Sequence, residues 1–451
     1  MFNRRTFLAT AGASLTCAPL DARAGSLRHQ AKQLGRPLRI LVPNGSQANV
    51  SPVIARFTGE FGGDCEMIVT DVDSINSTLT LESIAPRLEV DVALPATFGI
   101  PDLSENDAIL PLDTFANVSE SLEEAGPGGW YDGRLWGFQT DGDVYLMFYH
   151  AGMLEDPDEQ KRYEDMFGRV LSVPLTWEEL DRQMSFFHRP DEGRFGGCLF
   201  RSAGYSVWEW WARLHANGGH PFAQDAVSTL HLNAGVEALV EMKASSAHLT
   251  GSDLGLFENW RRYNKGDIYA NIGWGGTQKS IHKPGAGMRG RVRHGPLPGK
   301  QGAPMAYFNW GWSYVVARNT PVPELAFAFC DFAVSPGPSA DAVAAVEGYF
   351  DPFRNEHYND PRIVEAYGAS FLAEHRKAMR APIPDLYLSR RSEYFEILGT
   401  WLQLALQGRT EPETALRNVS ERWDIITEQV GKKLQAARWV QLLESYPPNY
   451  R

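Results

Sequence analysis

The sequence predicts an α/β protein with two α/β regions and a helical C-terminal region. Three observations carry this. After the N-terminal segment, short apolar runs alternate with longer amphipathic ones in a strand–helix–strand–helix–strand order, which implies a parallel sheet covered on both faces. The stretch Tyr131 to His150 reads as a tight turn followed by a strand, and a second round of strand and helix signals comes after it. The terminal region reads as helices.

The first element is a targeting segment. Asn3-Arg4-Arg5-Thr6-Phe7-Leu8 places two arginines before an apolar stretch from Phe7 to Leu20, and Ala22-Arg23-Ala24 supplies small residues for a cut before Gly25. Residues 1–24 are therefore expected to be a twin-arginine signal peptide, which sends the folded chain to the periplasm. The apolar stretch is shorter than the ~20 residues a bilayer-spanning helix needs. A lipoprotein acylated on Cys17 is the alternative, and the bulk of Thr16 just before that cysteine argues against it.

In the first α/β region, Pro37 to Pro43 is a strand, and Asn44-Gly45-Ser46 turns it into a helix through Val53 to Phe57. Glu66 to Thr70 and Val90 to Leu94 are further strands, separated by a helical segment from Ser74 to Arg87. Open parallel sheets bind ligands at the carboxyl ends of their strands. Those ends hold Ser46 after the first strand and Thr97 after the third, which makes both candidate ligand-binding residues.

Asp132-Gly133 is a two-residue turn signal. From Asp141 onward the side chains alternate, so Asp141, Asp143, Tyr145 and Met147 are expected on one face of a strand and Val144, Leu146 and Phe148 on the other. In the second α/β region, Thr176 can cap a helix with Glu179 closing a capping box and Leu175 stapling onto Leu180. Helices over 233–244 and 256–265 follow, then a strand within Lys265 to Gly276. Trp310 to Ala317 is a strand before a helix at Pro323 to Phe332, and Thr410-Glu411-Pro412-Glu413 starts the last long helix with a cap, an early proline and a capping-box Glu.

Several of these segments, in this order, resemble the extracellular solute-binding proteins of bacterial ABC importers, the large family that carries mostly sugars. Asp132 to Glu155, ending in Tyr149-His150-Ala151-Gly152-Met153-Leu154-Glu155, is similar to the family's first interlobe crossing, with His150 where Asn is usual. Thr176 to Leu180 resembles its "TWdEl" helix, Lys265 to Gly276 its "Gkaam…i.G.w" strand, and His294 to Gly299 its "lP.g" crossing. Trp310 to Ala317 resembles its "ggw.lai" strand, and Gly408 to Leu416 followed by Trp423 its closing helix. The resemblance implies a bilobal periplasmic-binding-protein fold, two α/β lobes on a multi-crossing hinge. Residues 37–140 and 299–338 would form lobe 1, and residues 141–298 and 339–451 lobe 2. It implies a non-catalytic, monomeric receptor in the periplasm that closes on a sugar or polyol and presents it to ABC permease subunits in the inner membrane.

The residues suit such a ligand. Vicinal hydroxyls bond to planar carboxylates, amides or guanidinium groups, and sugar C–H patches lie flat on aromatic rings. Of 13 tryptophans, Trp274, Trp310 and Trp312 sit at predicted strand ends beside glycine, where a ring can face a cleft. Trp208 and Trp211 fall at helical spacing, which favours packing, while Glu209 remains a possible hydroxyl acceptor. Asp141, Asp143 and Tyr145 near the first crossing, and Asp351 and Arg354 just past the third, complete the candidate set. The bland alternatives are a turn cap or an Arg134 partner for the two aspartates, and a surface pair for Asp351 with Arg354.

Composition narrows the partners. Loss of residues 1–24 removes three arginines and one aspartate, taking the formal charge from −12 to −14. An acidic surface of that size argues against nucleic acid. Cys65, Cys198 and Cys330 are widely spaced with no Cys-x-x-Cys pair, so free thiols are favoured over a disulfide. Gly285-Ala286-Gly287-Met288-Arg289-Gly290 has the letters of a dinucleotide fingerprint but neither the strand nor the helix it needs. No zinc-type histidine spacing, nucleophile elbow or P-loop is present, so no metal or cofactor is expected. Two alternatives stay open: a receptor for another polar solute, such as an organic acid, a glycerol derivative or a metal complex, and a twin-arginine-exported periplasmic enzyme.

Overall fold

The computed structural model describes residues 20–115, 126–251 and 253–451. The twin-arginine pair and Cys17 lie outside the described residues. The cut expected before Gly25 falls within the helix Leu20–Gln33.

Two sheets organise the chain. The first contains β1 (Leu38–Pro43), β2 (Cys65–Thr70), β3 (Val92–Ala93), β6 (Phe138–Gln139) and β12 (Ser313–Val316), in the order β2-β1-β3-β12-β6. β1 runs parallel to β2 and β3, whereas β12 is antiparallel to β3 and β6. Ile40, Leu41, Val42 and Val92 are fully buried. Such continuous apolar strands are what a sheet covered on both faces requires. Between β3 and β6, β4 (Trp130–Tyr131) and β5 (Arg134–Leu135) form a hairpin. Its turn residues Asp132 and Gly133 have φ of 49° and 73°, the left-handed pair that a two-residue turn needs.

The second sheet contains β7 (Val144–His150), β8 (Phe195–Gly197), β9 (Ile268–Gly273), β11 (Tyr307–Phe308) and β13 (Ile383–Pro384) in the order β13-β11-β7-β9-β8, with β10 (Val292–Gly295) also on β7. The expected alternation from Asp141 differs from what the structure has. The strand starts at Val144, and both its faces are buried through Tyr149, because β7 is central and packed against the helix Ala369–Ala378. The return to the first sheet comes at residues 309–312, later than the expected boundary at 299, because Tyr307 and Phe308 still pair with Tyr145 and Val144. The helix Pro336–Ala344 packs on the helix Gln47–Phe61, so the last passage between the sheets lies at residues 345–352 rather than at 339.

Local chemistry explains most element boundaries. Thr176 caps the helix Trp177–Phe187 by accepting from the Glu179 N–H at 3.2 Å. The capping box does not close, because the Glu179 carboxylate is held by Tyr163 and Arg182, and Leu175 is 44 % exposed rather than a staple. The helix at the C-terminal motif is Pro412–Val430, with Glu411 rather than Thr410 at its N-cap, and another helix, Lys432–Glu444, follows it. Cys65, Cys198 and Cys330 are free thiols. No helix among the described residues is long and apolar enough to cross a membrane.

Candidate functional site

The three passages between the sheets converge on one place. The first supplies Asp141 and Asp143, the second residues 309–312, and the third Tyr349 and Asp351. One carboxylate oxygen from each of Asp141, Asp143 and Asp351 lies within 4.8 Å of the others, and all three residues are buried. Asp141 Oδ1 accepts from the Asp351 N–H at 2.6 Å. Asp351 in turn accepts from the Gly275 N–H (2.7 Å) and the Tyr367 hydroxyl (3.2 Å). Gly275 opens the helix Gly275–His282, and a Cβ there would stand 1.8 Å from Asp351 Oδ1, so only glycine admits the carboxylate. Gly311, at φ 61°, also packs closely: a Cβ there would meet the Asp141 Cβ at 2.7 Å.

The charges around this floor are not balanced. Lys279 is buried beneath it, donating to the carbonyls of Ala345 (3.0 Å) and Phe350 (3.2 Å). His375 Nε2 lies 2.9 Å from the Gly142 carbonyl and 3.8 Å from Asp351, and burial pulls its pKa down to about 4. Burial, then the neighbouring carboxylates, push Asp141 and Asp143 well above the usual carboxylate range. Burial lifts Asp351 to about 7 against the pull of Lys279, whose own pKa burial lowers to about 7. Asp141 Oδ2 and Asp143 Oδ1 are buried without a hydrogen-bond partner, a state that is costly for a carboxylate.

Above the floor lies a cavity of about 470 Å³ between the two sheets' domains, within the range of small-molecule sites. Asp143 reaches it from below, and Tyr205, Trp208, Trp274, Trp312, Tyr349 and Phe395 form much of its wall. Asp73, Asn76 and Phe98 face it from the first sheet's side. The two sides touch: the Tyr205 hydroxyl lies 3.5 Å from Asp73 Oδ1, and the Arg391 guanidinium sits 3.7 Å from the Phe98 ring centre while paired with Asp385. Rings beside carboxylate, amide and guanidinium groups offer both surfaces that a polyhydroxylated molecule presents.

The structure brings Asp143, Trp274 and Trp312 to the cavity and Asp141 and Asp351 to its floor. Tyr145 lies behind the wall, its ring 5.0 Å from that of Trp274, its hydroxyl accepting from Asn309 at 3.1 Å. Ser46 donates to the Pro43 carbonyl at 2.7 Å and Thr97 pairs with the Ser313 hydroxyl at 2.8 Å; neither lines the cavity. Trp310, at φ 73°, and Arg354 line a different cavity of about 570 Å³, with Phe308, Gln139 and Met379. Arg354 there donates to the Val334 carbonyl at 3.0 Å. Glu209 is no hydroxyl acceptor for a ligand, because it is buried between Arg201 (2.7 Å) and Arg213 (2.9 Å). The spacing argument placed Trp208 in packing, yet it lines the cavity, while Trp210 and Trp211 are fully buried. Sequence reasoning also missed Tyr205, Phe395 and Arg391; the last opens the helix Arg391–Leu406 and gives no signal of its own.

Among solved structures, the chain superposes on a solute-binding protein of Agrobacterium radiobacter K84 in complex with ribitol. That match has a TM-score of 0.74 at 18% identity, over 87% of this chain and 99% of that one. Maltose-bound MalE3 of T. maritima gives 0.74 at 18% identity over 86% and 99%, and an Agrobacterium vitis S4 protein with D-mannitol gives 0.71 at 14% over 88% and 99%. These likenesses establish the bilobal periplasmic-binding-protein fold. No curated protein matches the sequence. Residues 54–340, well over half of the chain, match the family described as bacterial extracellular solute-binding protein, and the protein belongs to that family.

Proposed function

We propose that the protein is the receptor of an ABC importer, capturing a sugar or polyol in the cavity between its lobes and delivering it to permease subunits in the inner membrane. It is a binding protein and not an enzyme. The observation that carries the ligand class is the wall of Trp208, Trp274, Trp312, Tyr205 and Tyr349 above Asp143, with Asn76 and Asn309 in reach of the same space. That the structural neighbours hold ribitol, maltose and D-mannitol supports the same reading. We assign lobe 1 to the first sheet with its helices and lobe 2 to the second sheet with the C-terminal helices. Within the candidate set, Asp143, Trp274 and Trp312 contact ligand, and Asp141 and Asp351 hold the floor. Export through the twin-arginine signal delivers the chain to the periplasm.

Closure follows from differential contact: only the closed arrangement lets both lobes touch one ligand, so ligand shifts the population toward it. The test is a thermal-shift and calorimetric screen of the purified protein against sugars and polyols, with organic acids and metal ions as controls. A ligand present at a thousandfold excess over its dissociation constant adds about 4 kcal/mol of stability, a rise of several degrees. A sugar or polyol that binds and is recovered unchanged supports the receptor reading. Response only to an acid or a metal, or chemical conversion of the bound compound, would sink it.

A further inference from the structure

We propose that the ligand carries a positively charged nitrogen among its hydroxyls, as an amino sugar or an aminated polyol does, and that this nitrogen is seated on Asp143. The inference rests on the proposed function and narrows its ligand class.

The cavity lining carries Asp73, Asp143 and Glu396, while its sole cation among the described residues, Arg391, is already paired with Asp385 and stacked on Phe98 and Phe395. Asp143 is 5% exposed and its Oδ1, buried without a partner, belongs to a residue facing the cavity. Beneath it, Asp141 and Asp351 are answered by Lys279 alone, since His375 is held neutral by burial. A neutral hydroxyl can bond to Asp143 while the carboxyl keeps its proton, so it gains no ion pair there. An ammonium pairs with the carboxylate as that proton leaves, and the faces of Trp274, Trp208 and Trp312 in the same cavity attract cations.

A divalent metal suits the floor less well. Asp351 already accepts from Gly275 and Tyr367 through its two oxygens, and Asp141 Oδ1 accepts from the Asp351 N–H. That leaves Asp141 Oδ2 and the two Asp143 oxygens, whereas a hard cation takes about six or more oxygens. Lys279 adds a like charge close by.

Without ligand, the floor keeps a proton in place of the missing cation. The titratable groups facing Asp143 are Asp141, Asp351, Tyr145, Tyr349 and Tyr367, with Lys279 and His375 behind them. Burial drives the three tyrosines well above their ordinary range, so the proton belongs to the carboxyl groups and Lys279. Seating a cation expels it.

The experiment is calorimetry on the native protein with matched pairs: glucosamine against glucose, galactosamine against galactose, and glucamine against sorbitol. Each titration is run at pH 7 in two buffers of different ionisation enthalpy. The expected result is an amine at least tenfold tighter than its neutral partner, with net proton release on binding, unaffected by a chelator. Asp143→Asn should abolish the preference for the amine, cutting amine affinity at least tenfold more than that of its neutral partner, and should abolish the proton release. Equal or tighter binding of the neutral member without proton release overturns the inference and leaves the sugar or polyol reading standing. Binding that requires calcium or magnesium overturns it in favour of a metal. If no member of any pair binds, the sugar or polyol reading and the inference fall together.

Discussion

Trp274, an aromatic ring at a predicted strand end, and Arg354, a guanidinium just past a crossing, are both candidate ligand-binding residues in the sequence, and the structure separates them. Trp274 lines the cavity, 5.0 Å from Tyr145 behind the wall and 5.8 Å from Trp208 beside it. Trp274→Ala should weaken ligand binding by about 2 kcal/mol, roughly thirtyfold, as truncation of a central aromatic anchor does. Arg354→Ala should leave affinity within about twofold and instead lower the melting temperature, because its guanidinium holds the Val334 carbonyl. Calorimetry on both variants checks this, and a large affinity loss from Arg354→Ala would put the second cavity in the binding function. Asp351 gives a pH prediction. Its folded pKa of about 7 lies above the unfolded carboxylate value, so the folded state binds the extra proton. Its contribution to stability is therefore lost as pH rises from about 4 to about 7. Asp351→Asn removes that slope. Denaturant titrations at pH 5 and pH 8 should find the variant faring better, relative to the native protein, at pH 8 than at pH 5; equal differences at the two pH values would contradict the assignment.

At the scale of elements, the parallel part of the first sheet could be read from sequence because β1, β2 and β3 lie in short apolar-rich runs separated by helical segments, whereas the two-residue β6 gives no signal. The Asp132-Gly133 hairpin was equally clear, because its turn chemistry is local. What could not be read was pairing. Tyr307–Phe308 is a two-residue strand with no periodicity, and only its partners Tyr145 and Val144 place it in the second sheet. The same holds for the cavity wall. Trp208 and Phe395 lie on the helices Ser206–Ala216 and Arg391–Leu406, which meet only in the fold, with Tyr205 just before the first, and helical spacing cannot distinguish a ring facing a core from one facing a cleft. Gly275 shows an element boundary set by a distant residue: the helix Gly275–His282 begins where Asp351 caps it from the third crossing. Gly275→Ala would drive a methyl into that carboxylate. The expected outcome is a loss of a few kcal/mol of stability, since Asp351 must leave its buried place, together with weakened binding. Gly285→Ala, in the loop without the fingerprint's strand and helix, has nothing within 4 Å of its Cβ and should cost only about 1 kcal/mol from its left-handed φ of 83°. Thermal melts of the two variants decide it, and equal losses would contradict the role given to Asp351.

For the whole molecule, two sheets joined by three short passages predict a hinge, and the contacts across the cleft say what closure must make. Besides Tyr205 with Asp73, the C-terminal helices reach the first lobe through Arg438, which pairs with Asp132 and lies 2.9 Å from Glu105. Ser389 and Arg390 meet Glu105 and Asp102, and the Tyr387 hydroxyl donates to the Gly128 carbonyl. Contacts that exist only when the lobes meet add to the stability of the closed state and thus to apparent affinity, without touching ligand. Arg438 is 9% exposed but its partners are much more open, so solvent screens the pair and its share is about 1 kcal/mol. Arg438→Ala should therefore weaken ligand binding by about fivefold while leaving ligand preference unchanged, since no cavity group is altered. Small-angle scattering should find the native protein contracting on saturation with ligand, and the variant contracting only at proportionately higher ligand concentration. A scattering profile indifferent to saturating ligand would remove the hinge from the mechanism. An affinity loss that depends on which ligand is used would mean that Arg438 acts on the cavity rather than on closure.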